Sequence, residues 1–67
     1  MLDKEGFAKA VRVKRAELGM SQGGLMAKSG VSRVTISHIE NGDGRFSEES
    51  ARVAEALGIK FSDYIVL

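Results

Sequence analysis

The sequence predicts an all-α protein, a compact bundle of five short helices, and three observations carry that prediction. Proline is absent, and no stretch shows the apolar–polar alternation of a half-buried strand. Apolar residues recur instead at three- and four-residue spacing, the period of one helix face. Ser or Asp and then Gly punctuate the chain in the order that starts and stops helices. The 67 residues make one domain, 1–67, with a single core.

Each element has its own signals. Asp3 caps a first helix whose stripe is Phe7, Val11 and Leu18, and Gly19 suits a left-handed stop. Ser21 caps the second, "QGGLMAKS", with Leu25 and Met26 as apolar contacts and Gly30 at its end. After Val31 alone, Ser32 opens a third helix that Asn41-Gly42 closes. Ser47 caps the fourth, with Glu48 and Glu49 where the positive end of the helix dipole favours acids. Phe46 stands ready to staple onto Ala51. Val53, Ala54 and Leu57 form the buried side, and Gly58 is the stop. A fifth short helical turn, "FSDYIVL", closes the sequence.

Composition excludes several kinds of chemistry. Without cysteine there is neither a disulfide framework nor a thiolate metal site. The single histidine belongs to no metal-spaced cluster, so no metal or other cofactor is expected. Ser37 and His38 are not a nucleophile–base pair, because adjacent helix residues point about 100° apart. No catalytic residue is expected, and the protein is not read as an enzyme. No segment approaches the roughly 20 apolar residues of a membrane span, so the expected location is cytoplasmic. The net charge of +1 is uninformative, but residues 1–38 carry +4 and residues 39–67 carry −3. Such a chain can turn one basic face toward a polyanion.

The third helix, within "SGVSRVTISHIENG", raises the sharpest question. At about 100° per residue, Ile36 and Ile39 lie about 60° apart and define its core side. Val34 falls roughly 170° from their mean, on the wet side with Ser37, His38 and Asn41. Arg33 sits at the edge of that face. A lone exposed valine means little. Beside a long cation, a hydroxyl and an imidazole, its methyls suit a reader of the DNA major groove. Thymine presents a C5-methyl there, and Arg can bridge O6 and N7 of guanine. The tight turn "KSGVS" joins the second and third helices as in a helix-turn-helix at about residues 21–41, whose second helix enters the major groove.

The stretch "LGMSQGGLMAKSGVSRVTISHIENG" resembles the Cro/repressor (XRE-type) helix-turn-helix, the bacterial and phage family typified by the lambda-like repressors. "SQ", Leu25, "GVS", Ile36, Ile39, "ENG" and the later "EALGI" all match in register, and the likeness runs from Phe7 onward. The resemblance implies a five-helix lambda-repressor-like fold that binds double-stranded DNA. By the same resemblance Gln22 touches phosphate from the start of the second helix. Ser32, Arg33 and Val34 contact phosphate and bases, Ser37 and His38 face DNA one turn on, and Asn41 lies near a backbone contact. Arg15 and Glu40 match a structural pair tying the first helix to the end of the third. Arg15 already calls for a partner, since it lies at the edge of the apolar stripe. The alternative is that its head snorkels to water.

The sequence departs from the family in places. Gly23 and Gly24 stand where most members have good helix formers, and each costs a helix roughly 0.5–1 kcal/mol relative to Ala. Bare backbone there either admits a phosphate closely or is simply tolerated. Gly24 also removes the acidic half of a capping box with Ser21. Met26 replaces a usual Ala at the helix crossing, and Lys14 replaces a common Leu and is expected to snorkel. The loop "GDGRFSEES" does not align without a gap, so Arg45 is only a candidate phosphate contact.

The expected function is sequence-specific DNA binding by a transcriptional repressor or regulator on a palindromic operator. The alternative is a protein-interaction module, such as the antitoxin of a toxin–antitoxin pair. A homodimer through the C-terminal segment is expected, because one small domain reads few base pairs. Phe61, Tyr64 and Ile65 turn inward while Val66 and Leu67 run on uncovered. The β-branched tail either pairs with its two-fold mate or folds over its own core.

Overall fold

The computed structural model describes all 67 residues. Four α-helices follow in the order α1 (Lys4–Glu17), α2 (Gln22–Ser29), α3 (Arg33–His38) and α4 (Glu48–Leu57). A π-helical turn, Ile39–Asp43, continues α3, and a 3-10 turn, Phe61–Tyr64, follows α4. The chain is all-helical, but the expected count of five α-helices is corrected to four. The last element stops after four residues because the tail turns extended at Ile65 (φ −94°, ψ 122°).

All four helices begin with a side-chain cap. Asp3 Oδ1 accepts the Gly6 N–H at 3.1 Å and Ser21 Oγ accepts that of Gly24 at 3.0 Å. Ser32 Oγ accepts the Thr35 N–H at 3.3 Å, and Ser47 Oγ that of Ser50 at 3.2 Å. Each such bond satisfies a donor that the helix itself leaves free, typically worth about 1 kcal/mol. Left-handed Gly30 (φ 71°) and Gly58 (φ 72°) end α2 and α4. Buried Ser29 strengthens the first of these turns: its Oγ donates to the Leu25 carbonyl at 2.7 Å and accepts the Val31 N–H at 3.2 Å.

The core gathers one or more side chains from every α-helix. Phe7 and Val11 of α1, Leu25 of α2, Ile36 of α3, Ile39, and Val53, Ala54 and Leu57 of α4 are buried together with Leu2 and Val31. Burying each of the larger ones contributes about 1.5–3 kcal/mol. Met26 packs against this cluster from the helix crossing. Lys14 is half-covered along its stem, with its ammonium 3.9 Å from Glu17 Oε1.

One core expectation is corrected. Leu18 is 49% exposed rather than buried. It keeps the angular position of the stripe, but α1 ends at Glu17 and the chain reverses at Gly19 (φ 62°), so Met20 packs on the core there. Phe46 is exposed, and its ring lies against Phe61 with centroids 5.9 Å apart.

The tail meets the beginning of its own chain. Leu2 and Ile65 form an isolated antiparallel bridge, flanked by bonds from the Asp3 N–H to the Tyr64 carbonyl and from the Val66 N–H to the Met1 carbonyl, both 2.7 Å. This is the pairing in which facing side chains lie closest, and it seals Leu2 into the core. Phe7 anchors the same end, 5.4 Å from the Phe61 ring centroid and 5.7 Å from that of Tyr64.

Candidate nucleic-acid interface

The serine-capped start of α3 aims its first residues outward. Ile36 is fully buried, whereas Val34 on the opposite side is 65% exposed. Arg33 and His38 are exposed with it and Ser37 is half-buried. Four of the expected contact residues therefore share one solvent-facing surface: a guanidinium, two methyls, a hydroxyl and an imidazole. Ser32 is exposed, but its hydroxyl is engaged as the α3 cap and also donates to Thr35 Oγ1 at 3.2 Å.

Gln22 and Asn41 lie outside α3, the first at the start of α2 and the second in the turn that follows α3. The Gln22 side chain is not free: Nε2 donates to Glu40 Oε1 at 3.2 Å. That bond fixes the amide plane and leaves its oxygen without a partner in the chain. Asn41 is exposed within the π-helical turn, which Gly42 permits by taking φ 88°. With Lys9 and Arg12 of α1 and with Glu5, it lines one open cleft.

Glu40 is the hub beneath the surface, with its side chain only 7% exposed. Arg15 Nε donates to Oε2 at 2.8 Å and Nη2 to Oε1 at 3.2 Å, a forked pair. Arg15 Nη1 also donates to the Met20 carbonyl at 2.9 Å. The bonds that Arg15 donates to the Glu40 carboxylate hold its pKa above the ordinary value; partial burial opposes the shift and charge attraction adds to it. Arg12 Nη1 donates to the Glu40 backbone carbonyl. Sequence reading passed over this last contact. Its signal is a cation on α1 one turn before Arg15, but nothing local tells which carbonyl it meets. Through Glu40, α1, the start of α2 and the end of α3 are locked at fixed relative positions. No buried side-chain nitrogen or oxygen is left without a partner.

Two short helices across a tight turn, the second with one face turned to solvent, define a helix-turn-helix domain. The family model for helix-turn-helix domains matches residues 11–64, and the chain belongs to that family, of the XRE or lambda-repressor-like type. Neither the curated proteins nor the solved structures compared with the chain give a match. Membership makes the chain a DNA-binding protein. No helix is long and apolar enough to cross a membrane.

Proposed function

We propose that the chain is a transcriptional repressor or regulator that reads a palindromic operator as a homodimer in the cytoplasm, on the nucleoid. Val34 carries the reading: its methyls are held in water beside Arg33, Ser37 and His38, where a thymine methyl repays their exposure. Arg33 and Val34 read base edges at the start of α3, and Ser37 and His38 read one turn on. Gln22, oriented by Glu40, offers its amide to one phosphate. Ser32 lies by another, and Asn41 with Lys9 and Arg12 meets the backbone beyond α3. Phosphate contacts set the register and base contacts set the sequence.

Six residues of α3 span about 9 Å and read only a few base pairs, so two copies on half-sites about 34 Å apart supply the specificity. The tail supports this arrangement. One edge of it is taken by the chain's own Met1 and Asp3, and the Ile65 N–H on the other edge donates to the Ser62 carbonyl, so what the tail offers a partner is the exposed Val66 and Leu67. Sedimentation at rising concentration, with and without residues 65–67, tests the dimer.

Base and phosphate roles separate in a binding assay. Arg33→Ala is expected to cost about 1–3 kcal/mol on the preferred site and to relax the choice at one base pair. Gln22→Ala weakens every duplex by similar factors. Equal losses for Arg33→Ala on preferred and scrambled DNA make Arg33 a phosphate contact and overturn its assignment. The second reading, an antitoxin or other interaction module, draws on exposed Phe46 and Val66. Pure partner capture shows no salt-dependent duplex affinity.

A further inference from the structure

The two glycines at the start of α2 have different surroundings. A Cβ at Gly24 would lie 3.1 Å from Met20 Cγ, within the protein's own packing. A Cβ at Gly23 would instead lie 3.7 Å from Arg33 Nη2 and 3.7 Å from Ser21 Oγ. The Arg33 side chain thus leaves the first residue of α3, crosses the angle between the two helices and rests its guanidinium beside the bare backbone of Gly23. No acceptor in the chain holds it there: Arg33 takes part in none of the side-chain hydrogen bonds or salt bridges. It rests in the open space beside Gly23.

We infer that Gly23 is a specificity-determining residue, the seat that aims the Arg33 guanidinium at DNA from the junction of α2 and α3. A methyl group fits this seat in ordinary contact. A longer side chain starts from a Cβ already touching the guanidinium and displaces it. A planar cation reads guanine through two bonds of fixed geometry, so a displaced guanidinium loses discrimination before it loses charge. Gly23 therefore selects which base pair Arg33 reads without touching DNA itself. The inference rests on the proposed role of Arg33 as a base contact.

Gly23→Gln, Gly24→Gln, Arg33→Ala and the Gly23→Gln/Arg33→Ala double variant test it, after thermal unfolding shows that each is folded. The probes are the duplex selected by the wild-type chain from a random pool and a scrambled duplex. Gly23→Gln is expected to lower affinity for the selected duplex about tenfold, far less for the scrambled one. In the Arg33→Ala background the same change has an effect below about twofold. Gly24→Gln binds like the wild type. In the free protein, Arg33→Ala shifts the Gly23 amide resonance, which reports the seat without DNA. An unmoved Gly23 resonance, or an undiminished loss in the double variant, overturns the inference. A moved resonance with Arg33→Ala binding every duplex like the wild type overturns the DNA role of Arg33 and leaves the seat standing.

Discussion

Helix α4 and the α2–α3 pair begin with the same chemistry and then diverge. Serine caps all three, at Ser47, Ser21 and Ser32. After Ser47 the first turn reads Glu-Glu-Ser; after Ser21 it reads Gln-Gly-Gly, and after Ser32 Arg-Val-Thr. Acids in a first turn are each worth about 0.3–1 kcal/mol against the helix dipole. Helix α4 takes that gain twice and the helix-turn-helix pair not at all. The difference teaches where stability is sought and where a positive helix end is left for another anion. Under the proposed function that anion is DNA phosphate, and the stability forgone at α2 and α3 is recovered at α4, in the core and at Glu40.

The largest effect that would break this contrast lies within α3 itself. Ile36→Ala removes a fully buried side chain and is expected to cost about 2–5 kcal/mol, enough to unfold much of so small a domain. Val34→Ala, two residues away on the exposed side, should stay within about 0.5 kcal/mol of wild type in urea denaturation. It should nevertheless weaken binding to sites that present thymine under that residue. Comparable destabilisation by the two changes would show that α3 has no free face.

A smaller effect is expected at Glu40. Glu40→Gln removes the charge on which Arg15 and Gln22 converge, at a cost of about 2–3 kcal/mol, whereas Glu55→Gln on exposed α4 surface changes little. A double-mutant cycle with Arg15→Ala measures the coupling, and a value near zero would sink the pair as a stabilising element. Because pairing raises the Arg15 pKa, stability from its protonation is complete below the ordinary arginine value and lost only as pH climbs through the higher folded one. Arg15 therefore adds no pH dependence to the Glu40→Gln penalty between about pH 7 and pH 10.

The elements legible in the sequence are those whose causes are local. Asp3, Ser21, Ser32 and Ser47 start helices through their own side chains, and Gly19, Gly30, Gly42 and Gly58 all take positive φ. The outward position of Val34 follows from helical geometry alone. The angle of Leu18 suits the core, but its height, past the last turn of α1, does not. The fate of the tail depended on residues more than sixty positions away, and no local signal marks Leu2 as the partner of Ile65. The contact of Arg12 with the Glu40 carbonyl and the seat of Arg33 on Gly23 are likewise tertiary. A missing side chain is visible in a sequence; what occupies its space is not.

The smallest expected effect sharpens the contrast most, because it moves stability and DNA binding in opposite directions. Gly24→Glu gives α2 what α4 already has. Glutamate is a better helix former than glycine by roughly 0.5–1 kcal/mol. At the third helical position its carboxylate can reach back to the Ser21 N–H and complete a capping box. The new Cβ meets Met20 Cγ at 3.1 Å, and a flexible thioether chain yields there at little cost. A net gain of about 0.5–1 kcal/mol is expected in urea denaturation. The same carboxylate places a negative charge at the helix end proposed to face phosphate. Affinity for preferred and scrambled duplexes should therefore fall together, by about tenfold at low salt and less as salt rises. Gly24→Gln keeps the helix former without the charge and should retain the added stability with wild-type affinity. If Gly24→Glu binds DNA as tightly as the wild type, the first turn of α2 does not face the phosphate backbone, and its lack of acids has no functional cause.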